Sequence, residues 1–247
     1  DAWTGVAAHV PRGRGYDAQA TVFEAQVFPD GERVVTLRSD KRAVIWSASS
    51  GKALQSLELE GVCEQHRAVR VTAKSAVVTG VSYAWEDPAI VWDPTSGKAL
   101  HRMKHPDDRI AHVETSSGAE KVVTAGFSAI FVWTADTGQL DLELARHDGW
   151  YFAIAVSSSG STFVASSMGG RIFVWSGFTG QLLRTLTMDA DAVALALLSS
   201  GRLVGFSRSE VAVWDADSGE RLHTLGHPEG EPQHIAYSNG GAVVGAC

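Results

Sequence analysis

Five tryptophans recur along this 247-residue chain, at Trp46, Trp92, Trp133, Trp175 and Trp214, with gaps of 46, 41, 42 and 39 residues by subtraction. Five residues after each comes a glycine: Gly51, Gly97, Gly138, Gly180 and Gly219. Each of those glycines follows a serine or threonine, namely Ser50, Ser96, Thr137, Thr179 and Ser218. A period of this length means stacked supersecondary units that bury their apolar faces against one another.

The unit can be read outward from its Trp. The preceding apolar triplets are Ala43-Val44-Ile45, Ala89-Ile90-Val91, Ile130-Phe131-Val132, Ile172-Phe173-Val174 and Val211-Ala212-Val213. Short runs rich in β-branched and aromatic residues, bounded by Gly and Ser, predict a buried strand, here strand c. The Ser/Thr-Gly pair predicts the turn after it, because glycine reaches positive φ without steric cost. A strand d follows, over 52–57, 98–103, 139–144, 181–186 and 220–225. Upstream, Val34-Val35-Thr36, Val77-Val78-Thr79, Val122-Val123-Thr124, Phe163-Val164-Ala165, Leu203-Val204-Gly205 and Val243-Val244-Gly245 align as strand b. Tight turns such as Pro29-Asp30-Gly31 and Ser159-Gly160 precede it, and alternating stretches such as 22–28, 69–73, 152–156 and 192–198 predict strand a.

Four short antiparallel strands per ~40–45 residues predict an all-β β-propeller of four-stranded blades. The chain resembles the WD-repeat family on these residues. Trp92-Asp93 and Trp214-Asp215 show the dipeptide that names it, Pro29-Asp30-Gly31 its a–b turn and Gly226-His227 its d–a turn. The register yields five complete blades, a leading d strand over 1–10 and a trailing a–b hairpin over 233–246, in a single domain spanning 1–247. Two readings of the ends follow. The leading strand could close the sixth blade with a gap at c, or the chain could be part of a longer ring or protein. The second is favoured, since a gap at c would strip strands b and d of a ladder partner.

The resemblance implies a structural role for the blade tryptophans Trp46, Trp92, Trp133, Trp175 and Trp214. In the family they join a network with a Ser or Thr on strand b, an Asp in the b–c turn and a His in the d–a turn. Asp40 stands at the Asp position of the first blade; Glu86, Phe127, Gly169 and Arg208 occupy it elsewhere, so the network is eroded. His105, His147 and His227 fall in d–a turns, where the family places its structural His.

A formal net charge of −7 with scattered Lys and Arg argues against binding a phosphate backbone. The longest uncharged apolar run, 192–198, is strand-sized, so no membrane helix is expected. Two cysteines, Cys63 and Cys247, carry no metal-ligand spacing and point to a reducing, intracellular and cytoplasmic setting. No His-Glu-x-x-His, Cys-x-x-Cys, nucleophile elbow or phosphate loop occurs, and no cofactor is expected. His112, Glu114 and His234 fall on a strands, where a propeller enzyme, lactonase-like or quinoprotein-like, would keep its site at the channel mouth; solvated channel residues are the plainer reading.

The leading expectation is a non-catalytic scaffold that presents top-face loops to proteins or peptides. Two loops carry aromatics that the repeat does not require, Tyr83 with Trp85 and Trp150 with Tyr151; Arg42 and Arg109 fall on the same side. Trp and Tyr are enriched where interfaces concentrate binding energy.

Overall fold

The computed structural model describes residues 20–59, 68–74, 76–80, 87–105, 109–127, 129–144, 150–226, 234–237 and 243–246. The expected leading strand over 1–10 lies outside them. Every described regular element is a β-strand, so none is a helix long and apolar enough to cross a membrane.

Five four-stranded antiparallel sheets follow in chain order, each a meander whose strands pair with their sequence neighbours. The first holds β1 (Val22–Val27), β2 (Arg33–Arg38), β3 (Arg42–Ser47) and β4 (Ala53–Glu58). The second holds β5 (Ala68–Val71), β6 (Val77–Gly80), β7 (Ala89–Trp92) and β8 (Ala99–Met103). The third holds β9 (His112–Thr115), β10 (Lys121–Ala125), β11 (Ile130–Thr134) and β12 (Leu140–Leu144). The fourth holds β13 (Tyr151–Val156), β14 (Thr162–Ser167), β15 (Arg171–Ser176) and β16 (Leu182–Thr187). The fifth holds β17 (Ala194–Leu197), β18 (Arg202–Phe206), β19 (Glu210–Asp215) and β20 (Arg221–Gly226). A two-stranded hairpin, β21 (His234–Tyr237) with β22 (Val243–Ala246), matches the expected trailing a–b pair. These repeated sheets fit a blade-based β-repeat architecture.

The core lies between sheets. One apolar layer joins Val35, Leu37 and Ile45 of the first sheet to Val69, Ile90 and Trp92 of the second. The next joins Val78, Val91 and Met103 to Val113, Phe131 and Trp133. A third joins Val123, Ile130 and Leu144 to Tyr151, Phe163 and Trp175, and a fourth joins Val164, Ile172 and Val174 to Leu203, Ala212 and Trp214. Trp92, Trp133, Trp175 and Trp214 therefore each pack against the sheet before their own. Because successive side chains on a strand point to opposite faces, the apolar triplet ahead of each Trp feeds both layers.

The turn after each Trp is built the same way five times. Gly51, Gly97, Gly138, Gly180 and Gly219 all have positive φ, between 63° and 77°. Each donates its N–H to the carbonyl four residues back, at 2.8–2.9 Å. The residue after Trp supplies a side-chain oxygen: Asp93 Oδ1 accepts from Thr95 N at 2.9 Å, Asp215 Oδ1 from Ser218 N at 2.7 Å, and Ser47 Oγ from Ser50 N at 3.2 Å. The Trp-Asp dipeptide is thus a turn device that Ser performs elsewhere. These bonds hold the Asp93 and Asp215 carboxyls below their ordinary range, for Asp93 chiefly through the Ser96 hydroxyl and for Asp215 through the Ser218 amide.

Opposite each Trp the c–d ladder slips, between Ile45 and Trp46 and at the four equivalent places. Strand d carries one extra residue there, Leu54 in the first sheet and Leu100 in the second. A bulge bends a strand and lets a large neighbour fit.

The indole N–H groups of Trp46, Trp92 and Trp133 donate to Thr36, Thr79 and Thr124 Oγ1 at 2.8, 2.9 and 2.8 Å. Thr124 Oγ1 also meets His105 Nε2 at 2.7 Å, and the buried His105 ring stands edge-on to Phe131. His105 thus takes the structural place expected of it; His147 and His227 lie outside the described residues. Asp40 pairs instead with the buried Arg38, at 3.1 Å. The last two units place Ala165 and Gly205 where the others have Thr. A Cβ on Gly205 would lie 2.9 Å from the Trp214 ring and 2.9 Å from Met188 Sδ, so the ring occupies the space a side chain would need.

Thr124→Val keeps the shape but leaves the Trp133 N–H and His105 without their shared partner. It should lower unfolding free energy by about 1–3 kcal/mol. Thr36→Val, at a half-buried position, should cost less. Denaturant unfolding of both variants checks the order.

Candidate functional site

Strands β1, β5, β9, β13 and β17 open the five sheets, and each contacts the next in that series. Together they line an inner cleft with two compartments. One, of about 430 Å³, is walled by Ala68, Ala111, Ala153, Ala194, Val193 and Phe152. The other, of about 410 Å³, reaches the a–b turns at Pro29, Ala73, Ser117, Ser158 and Ser199. Arg70, Glu114, Ile154 and Leu195 line both and form the waist between them. The alanines give the first compartment its room.

An ion-pair network crosses the waist. Arg70 Nη1 donates to Glu24 Oε1 at 2.5 Å, and Arg70 Nη2 to Glu114 Oε1 at 2.7 Å. Glu24 Oε2 accepts from the Val69 amide at 2.8 Å, and Gln26 Oε1 from the Val71 amide at 2.9 Å. Thr115 Oγ1 donates to the Val71 carbonyl at 3.1 Å. Three inner strands are thereby tied by polar bonds where no ladder joins them. Burial alone would lower the Arg70 pKa, but the charges and hydrogen bonds of Glu114 and Glu24 prevail and raise it, keeping the guanidinium charged.

His112 lies beside the first compartment. Its Nε2 meets the Tyr151 carbonyl of the next sheet at 3.1 Å. Burial, with the Arg70 charge as a smaller cause, pushes its pKa below the ordinary value, against the opposing effect of the Tyr151 bond. Among the described residues, no three His, Cys, Asp or Glu side chains could hold a metal ion. The His234 side chain lies outside what is described.

The rim carries the loop aromatics. Trp150 stands just before β13 and is 57% exposed. Its ring meets Phe127 edge-on, with centroids 4.6 Å apart, and the Arg109 guanidinium lies over the other partner of that pair, 4.5 Å from the Phe127 centroid. Arg109 and Trp150 come together through Phe127, which the repeat alone marked only as a replacement for Asp. Two residues below them, Ala111 and Phe152 wall the compartment, so the stack sits on its edge.

The other candidates part company with this stack. Tyr151 is a correction: it is 3% exposed and packs with Ile154, Phe163 and Trp175, because strand alternation turns it inward as Trp150 turns out. Arg42 begins β3 in the first sheet and joins no described contact with Arg109 or Trp150. Tyr83 and Trp85 lie outside the described residues. The sequence reading missed Arg70, Glu24 and Phe127. One signal was available: Gln26, Arg70 and Glu114 share one repeat position, which is Ala155 and Ala196 in the later units.

No protein-family model and no curated protein matches this chain. Among solved structures it is similar to the computationally designed protein Ika8, with 26% identity and a TM-score of 0.72, over 88% of this chain and 65% of that one. The chain thus spans less than two thirds of the length of that design.

His112 supplies a prediction. The fold holds it neutral while the unfolded chain takes up a proton near pH ~6.5. The unfolded state then binds more protons, so stability is full above that value and falls as pH drops below it. His112→Gln, which keeps a donor for the Tyr151 carbonyl, should flatten the slope between about pH 5 and 7. Urea midpoints across that range check it; an unchanged slope contradicts it.

Proposed function

We propose that this chain folds as WD-repeat propeller blades and serves as a non-catalytic platform for protein or peptide partners. The observation that carries the reading is the exposed Trp150, braced by Phe127 and Arg109 at the edge of the inner cleft. A large aromatic held in one orientation loses little conformational entropy on binding, and it offers area and a donor to a partner. A rigid stack of sheets beneath keeps that geometry fixed. The recurrent Trp-x-x-x-Ser/Thr-Gly element and the five meandering sheets support the family assignment.

The test is a selection of peptides from a random library on the folded protein, followed by affinity measurement on Trp150→Ala. Loss of about thirtyfold or more is expected for binders at a hot-spot Trp. Equal affinity for the parent and Trp150→Ala across the selected peptides would overturn the proposal. Tyr151→Phe, a core change, should leave affinity unaltered.

A further inference from the structure

We infer that Met168 is an oxidation switch on the partner surface: a peroxide converts its thioether to the sulfoxide and weakens binding beside Trp150. This rests on the platform reading and names what regulates that surface.

Three observations meet at Met168. The first is its place. Tyr151 pairs with Ser167 in the outermost rung of the β13–β14 ladder, so the next residues outward are Trp150 and Met168. Opposed residues on antiparallel strands lie about 5 Å apart at Cα. Both of these are exposed, Trp150 at 57% and Met168 at 50%. The second is the turn that carries it. Gly169 and Gly170 both have positive φ, 76° and 67°, and a Cβ on Gly170 would run into the Met188 carbonyl. Gly170 donates its N–H to Asp191 Oδ1 at 2.9 Å, its carbonyl accepts from Met188 N at 2.8 Å, and the Met168 carbonyl accepts from Arg171 Nε at 3.3 Å. The backbone is thus pinned while the side chain stands outward. The third is the repeat. Seven residues before the blade Trp, the first, third and fifth units carry Ser39, Gly126 and Ser207, and the second carries Trp85. The turn itself therefore does not require a long apolar side chain there.

Exposure makes the chemistry selective. The chain has three methionines, and Met103 and Met188 are 0% and 6% exposed. A peroxide in solution reaches the Met168 sulfur first. That sulfur attacks one peroxide oxygen, the O–O bond breaks and an S–O bond forms. The sulfur gives up two electrons, and the other oxygen leaves as water with both peroxide protons. A thiol-dependent sulfoxide reductase reverses the step: two thiols become a disulfide and the oxygen leaves as water. An unoxidised Met is apolar and flexible, so it adds adaptable area beside the fixed ring of Trp150. The sulfoxide is polar, and its oxygen must either stay wet or lose its water when a partner covers Trp150. Either outcome weakens the contact.

The probes are hydrogen peroxide and the peptides selected on the parent protein. The protein alone is treated with peroxide, catalase removes the excess, and dithiothreitol returns any disulfide or sulfenic acid at Cys63 and Cys247 to the thiol. Peptide mapping by mass should show Met168 oxidised at least about tenfold faster than Met103 and Met188. Peptide affinity for the oxidised parent should fall about tenfold and return after a methionine sulfoxide reductase. Met168→Leu, which keeps the apolar area without the thioether, should bind as the parent does and ignore peroxide. Met168→Gln should bind about tenfold more weakly with no peroxide at all. Circular dichroism melts confirm that the oxidised parent and both variants are folded. The inference is overturned if Met168 is oxidised no faster than the buried methionines, if its oxidation leaves affinity unchanged, or if Met168→Leu loses affinity to peroxide as the parent does. Trp150→Ala separates the two readings. Binders that need Trp150 but ignore Met168 oxidation sink this inference alone. Binders that ignore Trp150→Ala but are lost on Met168 oxidation sink the Trp150 surface alone, and a library with no binder sinks both.

Discussion

Each blade tryptophan from the second sheet onward lies against the sheet before it, and the rest of the molecule follows from that contact. A four-stranded sheet with two apolar faces is unstable in water by itself. Burial of a Trp and its neighbours in each inter-sheet layer supplies the driving force. The layer needs space for the indole, and the c–d bulge beside each Trp makes it. It also needs the chain to reverse at once, and the positive-φ glycine does that. Five copies of Trp, bulge and glycine turn are therefore one device.

Polar support for the tryptophans differs from unit to unit. The first three units give the indole N–H a threonine acceptor; the last two carry alanine and glycine instead, and in the fifth the Trp214 ring settles onto Gly205. Erosion of the network removes the threonine from strand b of the fourth and fifth units. It also frees the b–c turn of the third unit: the position that holds Asp40 in the first holds Phe127 there, and Phe127 braces Trp150. One repeat position thus carries an ion-pairing Asp in the first unit and an aromatic brace in the third.

Most of the fold was legible because period and strand alternation are properties of sequence. The triplets before each Trp, the glycine turns and the trailing hairpin stand where the pattern put them, with strand ends displaced by a residue or so. The bulge was hidden, since an extra residue on strand d leaves the spacing unchanged. The site was half legible. Trp150 and Arg109 could be named, but not that Phe127 joins them, because that pairing crosses between sheets. Tyr151 was misjudged for a related reason: it begins a strand, and alternation, not loop membership, decides which way it points. The Glu24–Arg70–Glu114 network joins residues one repeat apart and needed the register of three inner strands before it could be seen.

The claim on which the account rests is that the sheets are stabilised by their mutual layers and not one by one. Native-state hydrogen exchange, resolved to single amides, tests it most directly. Strands b and c of all five sheets should share one slowest exchange class, opening only with global unfolding, while d-strand edge amides exchange earlier. Sheets whose b and c strands open separately, each with its own free energy, would contradict it.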